Sequence, residues 1–405
     1  MSSVGFVRLG DVCTKIGSGA TPRGGRLTYS DDGPYALVRS QNVLNNAFSQ
    51  VGLVRISAVQ AGQLDGVELR EGDVLMNITG DSVARVCQVD SIAIPGRVSQ
   101  HVAIIRPEPS RLDPRYLRCY LTSSTMQSRL LSLASAGATR NALTKSTVAA
   151  LQIPAPPLSE QQRIAGILAT WDSAIAKTER LIHAKRVEWI AMARAELKAA
   201  VGRTVHLGDL CNVSKGMGLS KSDIKPDGAY PCILYGELHT VYGEVVGHIR
   251  SRTDALTSTR SQSGDVLIPS SSETSEDLAK ASALNEDGVL LGGDINIVRP
   301  KRAGSYSSDY LAYYLTHAKG RDIARLAQGN SVVHLYGRDI ARLELDLPDL
   351  SRQQRVASAL NIGKREIDVL DTIRTKYVLQ RRAVEQILFA PSCTSGQRAA
   401  AGAIR

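Results

Sequence analysis

The sequence predicts an α+β fold built twice: two pseudo-symmetric mixed α/β domains, separated by two long helices that pair as an antiparallel coiled coil. Three observations predict it. The chain of 405 residues repeats itself at one long offset. Each copy contains short β-branched segments punctuated by turn residues. Each copy ends in about 40 residues of helical apolar spacing.

The repeat is read directly from the chain. "VRLGDVC" (7–13) returns as "VHLGDLC" (205–211), and "DGPYALV" (32–38) as "DGAYPCI" (227–233). "GDVLM" (72–76) returns as "GDVLI" (264–268), and "VAIIRP" (102–107) as "INIVRP" (295–300). "YLRCYLT" (116–122) returns as "YLAYYLT" (310–316), and "LSEQQRIAGIL" (158–168) as "LSRQQRVASAL" (350–360). Six matches in one order exclude chance, and the period is too long for a stacked repeat array. The implied segments are globular 1–158, helical 159–203, globular 204–350, helical 351–390 and a tail, 391–405, whose composition predicts disorder.

Within a globular segment, "YALVRSQNV", "GDVLMNITG" and "HVAIIRP" read as strands, and the stretch from 113 onward as a helix. A proline-rich strand, "LQIPAPP" or "LELDLPD", closes each segment. Ser159 and Ser351 stand where an N-cap belongs, with Gln162 and Gln354 completing a capping box. In the first helix Ile164, Leu168, Trp171, Ile175 and Ile182 follow alternating spacings of three, four and seven, and Trp189 and Met192 continue the stripe. In the second, Val356, Leu360, Gly363, Ile367, Leu370, Tyr377, Val384 and Leu388 do the same. A helix of 40 residues is about 60 Å long, so its stripe needs a partner, and the other long helix is the simplest one. The alternative is that each helix packs on its own globular segment.

Composition narrows the function. The net charge of +10 points to an anionic partner, nucleic acid being the usual one. That charge is uneven. Segment 1–158 has 16 Lys and Arg against 11 Asp and Glu, while 204–350 has 15 against 19. Nucleic-acid contact must therefore use local patches. The N-terminus lacks a secretion signal and no run is long enough to span a membrane, so a cytoplasmic protein is expected. The six cysteines form no C-x-x-C pair, which argues against zinc or a disulfide framework. Cys13 and Cys211 occupy matching places and read as small buried apolar residues. No P-loop, nucleophile elbow or H-E-x-x-H is present, and "GSG" (17–19) and "GMG" (216–218) read as turns. Binding without chemistry is the expectation, with no catalytic residue, metal or cofactor in this chain.

On its junctions "IPAPPLSEQQRIAGIL" and "LPDLSRQQRVASAL", and on "GSGATP" (17–22), "GDVLMNITG" and "QHVAIIRP", the chain resembles the specificity subunit of a type I restriction–modification system over about 6–390. The second copy departs from the pattern, with "KGMGLS" and "GDINIVRP" in place of "GSGATP" and "QHVAIIRP". The resemblance implies that each globular segment is a target recognition domain reading one half of a bipartite, asymmetric double-stranded DNA site. It implies that the helices are spacers that dock two methyltransferase subunits. Those partners would methylate adenine with S-adenosylmethionine, and a restriction subunit, a motor nuclease, would use ATP and magnesium. A two-headed protein-interaction scaffold without a DNA target is the competing reading, and a self-sufficient restriction or modification enzyme a third.

Base edges need donors and acceptors, and phosphates need cations. The loop residues that meet the first need are Arg39, Gln41, Asn42, Asn77, Thr79, Asp81, Arg97, Gln100, His101, Arg140 and Asn141 in the first copy. In the second they are Tyr235, Ser270, Ser271, Ser272, Thr274, Asn330 and His334. Arg23, Arg26, Lys215 and Lys221 flank the Gly-rich loops as phosphate candidates.

Overall fold

In the computed structural model, residues 5–136, 141–199, 202–256 and 259–390 are described. The chain divides into two compact units, Met1–Thr178 with Ile373–Arg405, and Glu179–Thr372. The helices used below are α1 (Pro114–Leu121), α2 (Lys145–Ala149), α3 (Leu158–Lys198), α4 (Ser308–His317), α5 (Gly337–Ile340) and α6 (Leu350–Phe389). Each unit therefore holds the first part of one long helix and the last part of the other.

The first unit is built on a four-stranded antiparallel sheet of β2 (Cys13–Ser18), β7 (Val102–Pro107), β4 (Val74–Asn77) and β5 (Val86–Gln88), in that order. Alternation along β4 divides its side chains: Val74 and Met76 join the helix-facing core, and Leu75 joins a second core. Across that second core lie β3 (Tyr35–Val38) and β6 (Gly96–Val98), paired in parallel. Both faces are covered, which is why the strand reads as an unbroken apolar run. A two-stranded ribbon of β1 (Phe6–Arg8) and β8 (Gln152–Pro154) closes the domain.

The second unit repeats this plan. Its ribbon is β9 (Arg203–His206) with β16 (Glu344–Leu347), and its main sheet is β10 (Cys211–Lys215), β15 (Ile295–Pro300), β12 (Asp265–Pro269) and β13 (Ser282–Leu284). The parallel pair is β11 (Tyr230–Ile233) with β14 (Leu290–Leu291). Val266 and Ile268 face the helices and Leu267 the second core. Cys211 is buried and Cys13 half-buried, and burial pushes both thiols up to about 12.

The repeated "GDVL…RP" words have a structural cause. Asp73 is fully buried and receives Arg106 through Nε at 2.6 Å and Nη2 at 2.8 Å. The same carboxylate accepts the Arg70 backbone N–H at 2.8 Å. Asp265 repeats this with Arg299, at 2.8 and 2.7 Å, and with the Gln262 N–H at 2.8 Å. The glycines before them adopt φ of 84° at Gly72 and 94° at Gly264, a region that a side chain disfavours.

The helix starts differ from expectation. α3 and α6 begin at Leu158 and Leu350, so Ser159 and Ser351 lie inside the first turn and are not caps. The proline-rich strand releases the chain two residues earlier than capping by the serines assumes. Asp349 caps α6, accepting the Arg352 N–H at 2.8 Å. The glutamines that matter are Gln161 and Gln353, both buried, while Gln162 and Gln354 are exposed. Gln161 Oε1 accepts the Asp113 N–H at 2.8 Å, and Gln353 Oε1 accepts the Ser307 N–H at 2.9 Å. Each long helix is thereby tied to the residue that caps α1 or α4.

Inside each unit the two long-helix segments run antiparallel. In the first, Ile164 and Leu168 share a core with Val384 and Leu388, Trp171 meets Tyr377 edge-on at 5.8 Å, and Arg381 donates to Asp172 at 2.8 Å. In the second, Trp189 donates to the Leu360 carbonyl at 2.9 Å, and Lys185 pairs with Glu366 at 3.1 Å. Ile182, Val356, Leu360 and Ile367 are buried there, with Leu370 packed against them. Ile175 is half-buried, and Met192, though 39% exposed, keeps its terminal methyl beside Gly363 of the facing helix. The same stripes also pack on the domain cores, against Leu117 in one unit and Tyr310 and Leu311 in the other. Pairing and domain packing are therefore not alternatives.

One contact at this helix junction gives a pH prediction. Glu244 Oε1 and His317 Nε2 lie 2.7 Å apart, both about nine-tenths buried (13% exposed). Burial is the largest single influence and works to raise the Glu244 carboxyl, but the hydrogen bond from His317, a backbone hydrogen bond and the charges of His317 and Lys364 together outweigh it and hold the group below its usual 4.5. A depressed carboxylate contributes stability that is present above the unfolded value and lost as pH falls through the folded one. Thermal unfolding followed from pH 6 down to about 3 should show a steeper loss below the unfolded value for the parent chain than for Glu244→Gln. Equal slopes would remove this group from the acid response.

Candidate nucleic-acid interface

One end of the main sheet gathers polar groups in both units. In the first, Asn77 at the end of β4 stands opposite Val102 at the start of β7. Beyond them Thr79 Oγ1 lies 2.6 Å from His101 Nδ1, and Gln100 Nε2 lies 3.2 Å from His101 Nε2. The loop leading to α2 arrives at the same place. Thr79 bridges to Ala142, and the Gly80 N–H donates to the Asn141 carbonyl at 3.3 Å. Gln100, His101, Asp81 and Asn141 are exposed and Thr79 half-buried. The structure thus brings five of the sequence candidates to one rim. Arg140, adjacent in sequence, lies outside the described residues.

The second unit uses the same end of its sheet with other side chains. Pro269 at the end of β12 stands opposite Ile295 at the start of β15. Beyond them Ser271 and Ser272 pair with His334 and Val333. Ser270 Oγ donates to Asp294 Oδ1 at 3.3 Å, and Lys215 Nζ pairs with the same oxygen at 3.1 Å. A cavity of ≈ 190 Å³ opens here, lined by Lys215, Ser270, Asn296, His334 and Tyr336 among others. Ser270 and Ser271 are buried; His334 is exposed. Tyr235, 42% exposed, meets His239 edge-on at 6.2 Å.

Several candidates are committed inside their domains instead. Arg97 is buried, donates to the Ala61 carbonyl at 3.1 Å and to Asp65 at 2.9 Å, and lies over the Tyr35 ring at 5.2 Å. Asn77 is buried and donates to the Ser40 carbonyl at 2.9 Å. Asn42 is buried; its Oδ1 accepts the Arg39 N–H at 3.0 Å and its Nδ2 donates to the Ser49 carbonyl at 3.0 Å. Such side chains hold loops in shape, a job that strands ending in polar turns require and that sequence cannot separate from base contact. Arg39 and Gln41 both donate to the Gly52 carbonyl, at 2.6 and 3.1 Å. Thr274 is tied to Asp277 at 2.7 Å. Arg23, Arg26, Lys221 and Asn330 are exposed. Sequence reasoning missed Asp294 and Asn296, which the sheet brings to Lys215, and Tyr336, which lies two residues beyond His334.

The doubled sheet and its two long helices have a family. A model described as the type I restriction modification DNA specificity domain matches residues 1–185 and again 203–375. This chain belongs to the type I restriction–modification DNA specificity family. Solved relatives share the fold at low identity. One is the type I restriction–modification S subunit from M. genitalium, 15% identical with a TM-score of 0.62, covering 97% of this chain and 98% of that one. Another comes from a structural study of complex assembly and conformational transition of the type I R-M system, at 20% identity and a TM-score of 0.58, covering 95% and 96%. In this family member, among the described residues, no group of His, Cys, Asp and Glu is placed to hold a metal ion. No helix among them is long and apolar enough to cross a membrane.

Proposed function

We propose that this chain is the DNA-reading subunit of a type I restriction–modification complex, with each unit reading one half of a bipartite, asymmetric site. The observation that carries the reading is the rim just described. Both units bring a strand end, a strand start and a loop to the same place, and they equip it with unlike donors and acceptors: Thr79, Gln100, His101 and Asn141 in one, Lys215, Ser270 and His334 in the other. A common frame with different side chains suits two different half-sites. The two continuous helices, 41 and 40 residues long, would set the spacing between half-sites and dock two methyltransferase subunits. Those partners would carry S-adenosylmethionine for adenine methylation, and a restriction subunit would bring ATP and magnesium. This chain would perform no chemistry.

Adenine-methylation mapping of cells expressing the chain with its methyltransferase partner tests the proposal. A split methylated motif that disappears when the chain is deleted is expected. Its persistence after deletion would sink the reading. The acidic balance of 204–350 is the feature behind the competing reading, a two-headed protein-interaction scaffold without a DNA target; a complex with no methylated motif that depends on the chain would support that alternative.

A further inference from the structure

At one helix start the second unit has an aromatic where the first has a capping threonine. The residue before α2 in the first unit is Thr144, whose hydroxyl accepts the Thr147 N–H at 3.1 Å, an ordinary N-cap. The bridges Thr79–Ala142 and Ser271–His334 share one offset, and buried Leu143 and Leu335 follow them. The residue matching Thr144 is therefore Tyr336. It occupies the cap of α5 and makes no side-chain capping bond. Its ring is 44% exposed on the rim, 6.5 Å from the His334 ring. The Arg338 guanidinium lies over that ring at 5.3 Å, with its side chain 73% exposed and Nε 3.8 Å from Asp339. The matching residue in the first unit is Ser146.

The aromatic forgoes a bond that threonine supplies at the matching position of the first unit, and in exchange it places a ring face at the rim. That ring face lies against an exposed arginine beside the rim. A guanidinium attracted to a ring ranges over fewer positions, and the bidentate partner that a duplex offers its planar fork is the O6/N7 edge of guanine in the major groove.

We infer that Arg338, positioned by Tyr336, reads a guanine in the half-site of the second unit only. The inference rests on the DNA-reading proposal above. The test uses the full chain with its methyltransferase partner and duplexes carrying the methylated motif of the parent complex, substituted one base pair at a time. Arg338→Ala should cut discrimination at one guanine of one half-site by roughly 5- to 150-fold, leaving the other half-site unchanged. Arg338→Lys keeps the charge and loses the fork, so it should retain most affinity and still lose that discrimination. Tyr336→Thr should lose selectivity at the same base pair, with a thermal midpoint equal to or above that of the parent. An affinity loss spread evenly over all duplexes, or full rescue by lysine, would make Arg338 a phosphate contact and overturn the inference. Unchanged selectivity in Tyr336→Thr would overturn the positioning role. A parent complex with no split motif defeats the DNA-reading proposal itself, an outcome distinct from these.

Discussion

Asp73→Ala is expected to destabilise the first unit by about 3–5 kcal/mol, because it leaves the Arg106 guanidinium in a mostly buried place with its partner gone. The carboxylate has no solvent exposure, and it closes two contacts together: the ion pair and the Arg70 N–H of the turn. For a unit of this size the midpoint should fall by roughly 6–20 °C. The double variant Asp73→Leu with Arg106→Met separates charge from shape. Replacing both ions with apolar groups is commonly close to neutral, so the double variant should recover much of the loss. If the single variant unfolds at the parent temperature, the pair is not the clamp described. Chemical denaturation of both variants decides the matter, and Asp265 with Arg299 offers the same experiment in the second unit.

Trp189→Ala is expected to cost the second unit about 3–5 kcal/mol, the range for removing a large buried aromatic. The indole contacts more than its area suggests. Its N–H reaches the Leu360 carbonyl at 2.9 Å, and its ring meets Tyr313 at 5.8 Å and His317 at 5.3 Å, both edge-on. It also sets the identity of a residue on the facing helix. A Cβ placed on Gly363 would stand 2.6 Å from the indole Cδ1. Alanine ordinarily stabilises a helix interior over glycine by about 1 kcal/mol. Here Gly363→Ala should destabilise, and the reversed sign identifies the cause. Combined with Trp189→Ala, the same substitution should become neutral or favourable. Urea midpoints of the two single variants and the double variant measure that coupling.

The duplication, the alternating strands, the long helices and their stripes were legible in the residues, since each rests on short-range periodicity or repetition. Seam positions such as Ile164, Leu168, Val356 and Leu360 were found for that reason, and all four are buried. The site was legible only in part. Thr79, Gln100, His101 and Asn141 were named as separate loop residues; the antiparallel register of β4 with β7 and the bridge to Ala142 make them one group. Arg97 and Asn77 have the chemistry of base readers, and their burial inside the domain is invisible to composition.

The sequence alone therefore establishes a frame made twice with different polar loops, because repetition and apolar period are properties of neighbours along the chain. Which polar side chains face outward is decided in three dimensions. An arginine beside a buried aspartate and an arginine over the ring of an exposed tyrosine have the same chemistry in one dimension. Burial and partner geometry, set by strands distant in sequence, make Arg106 a clamp and leave Arg338 at the rim.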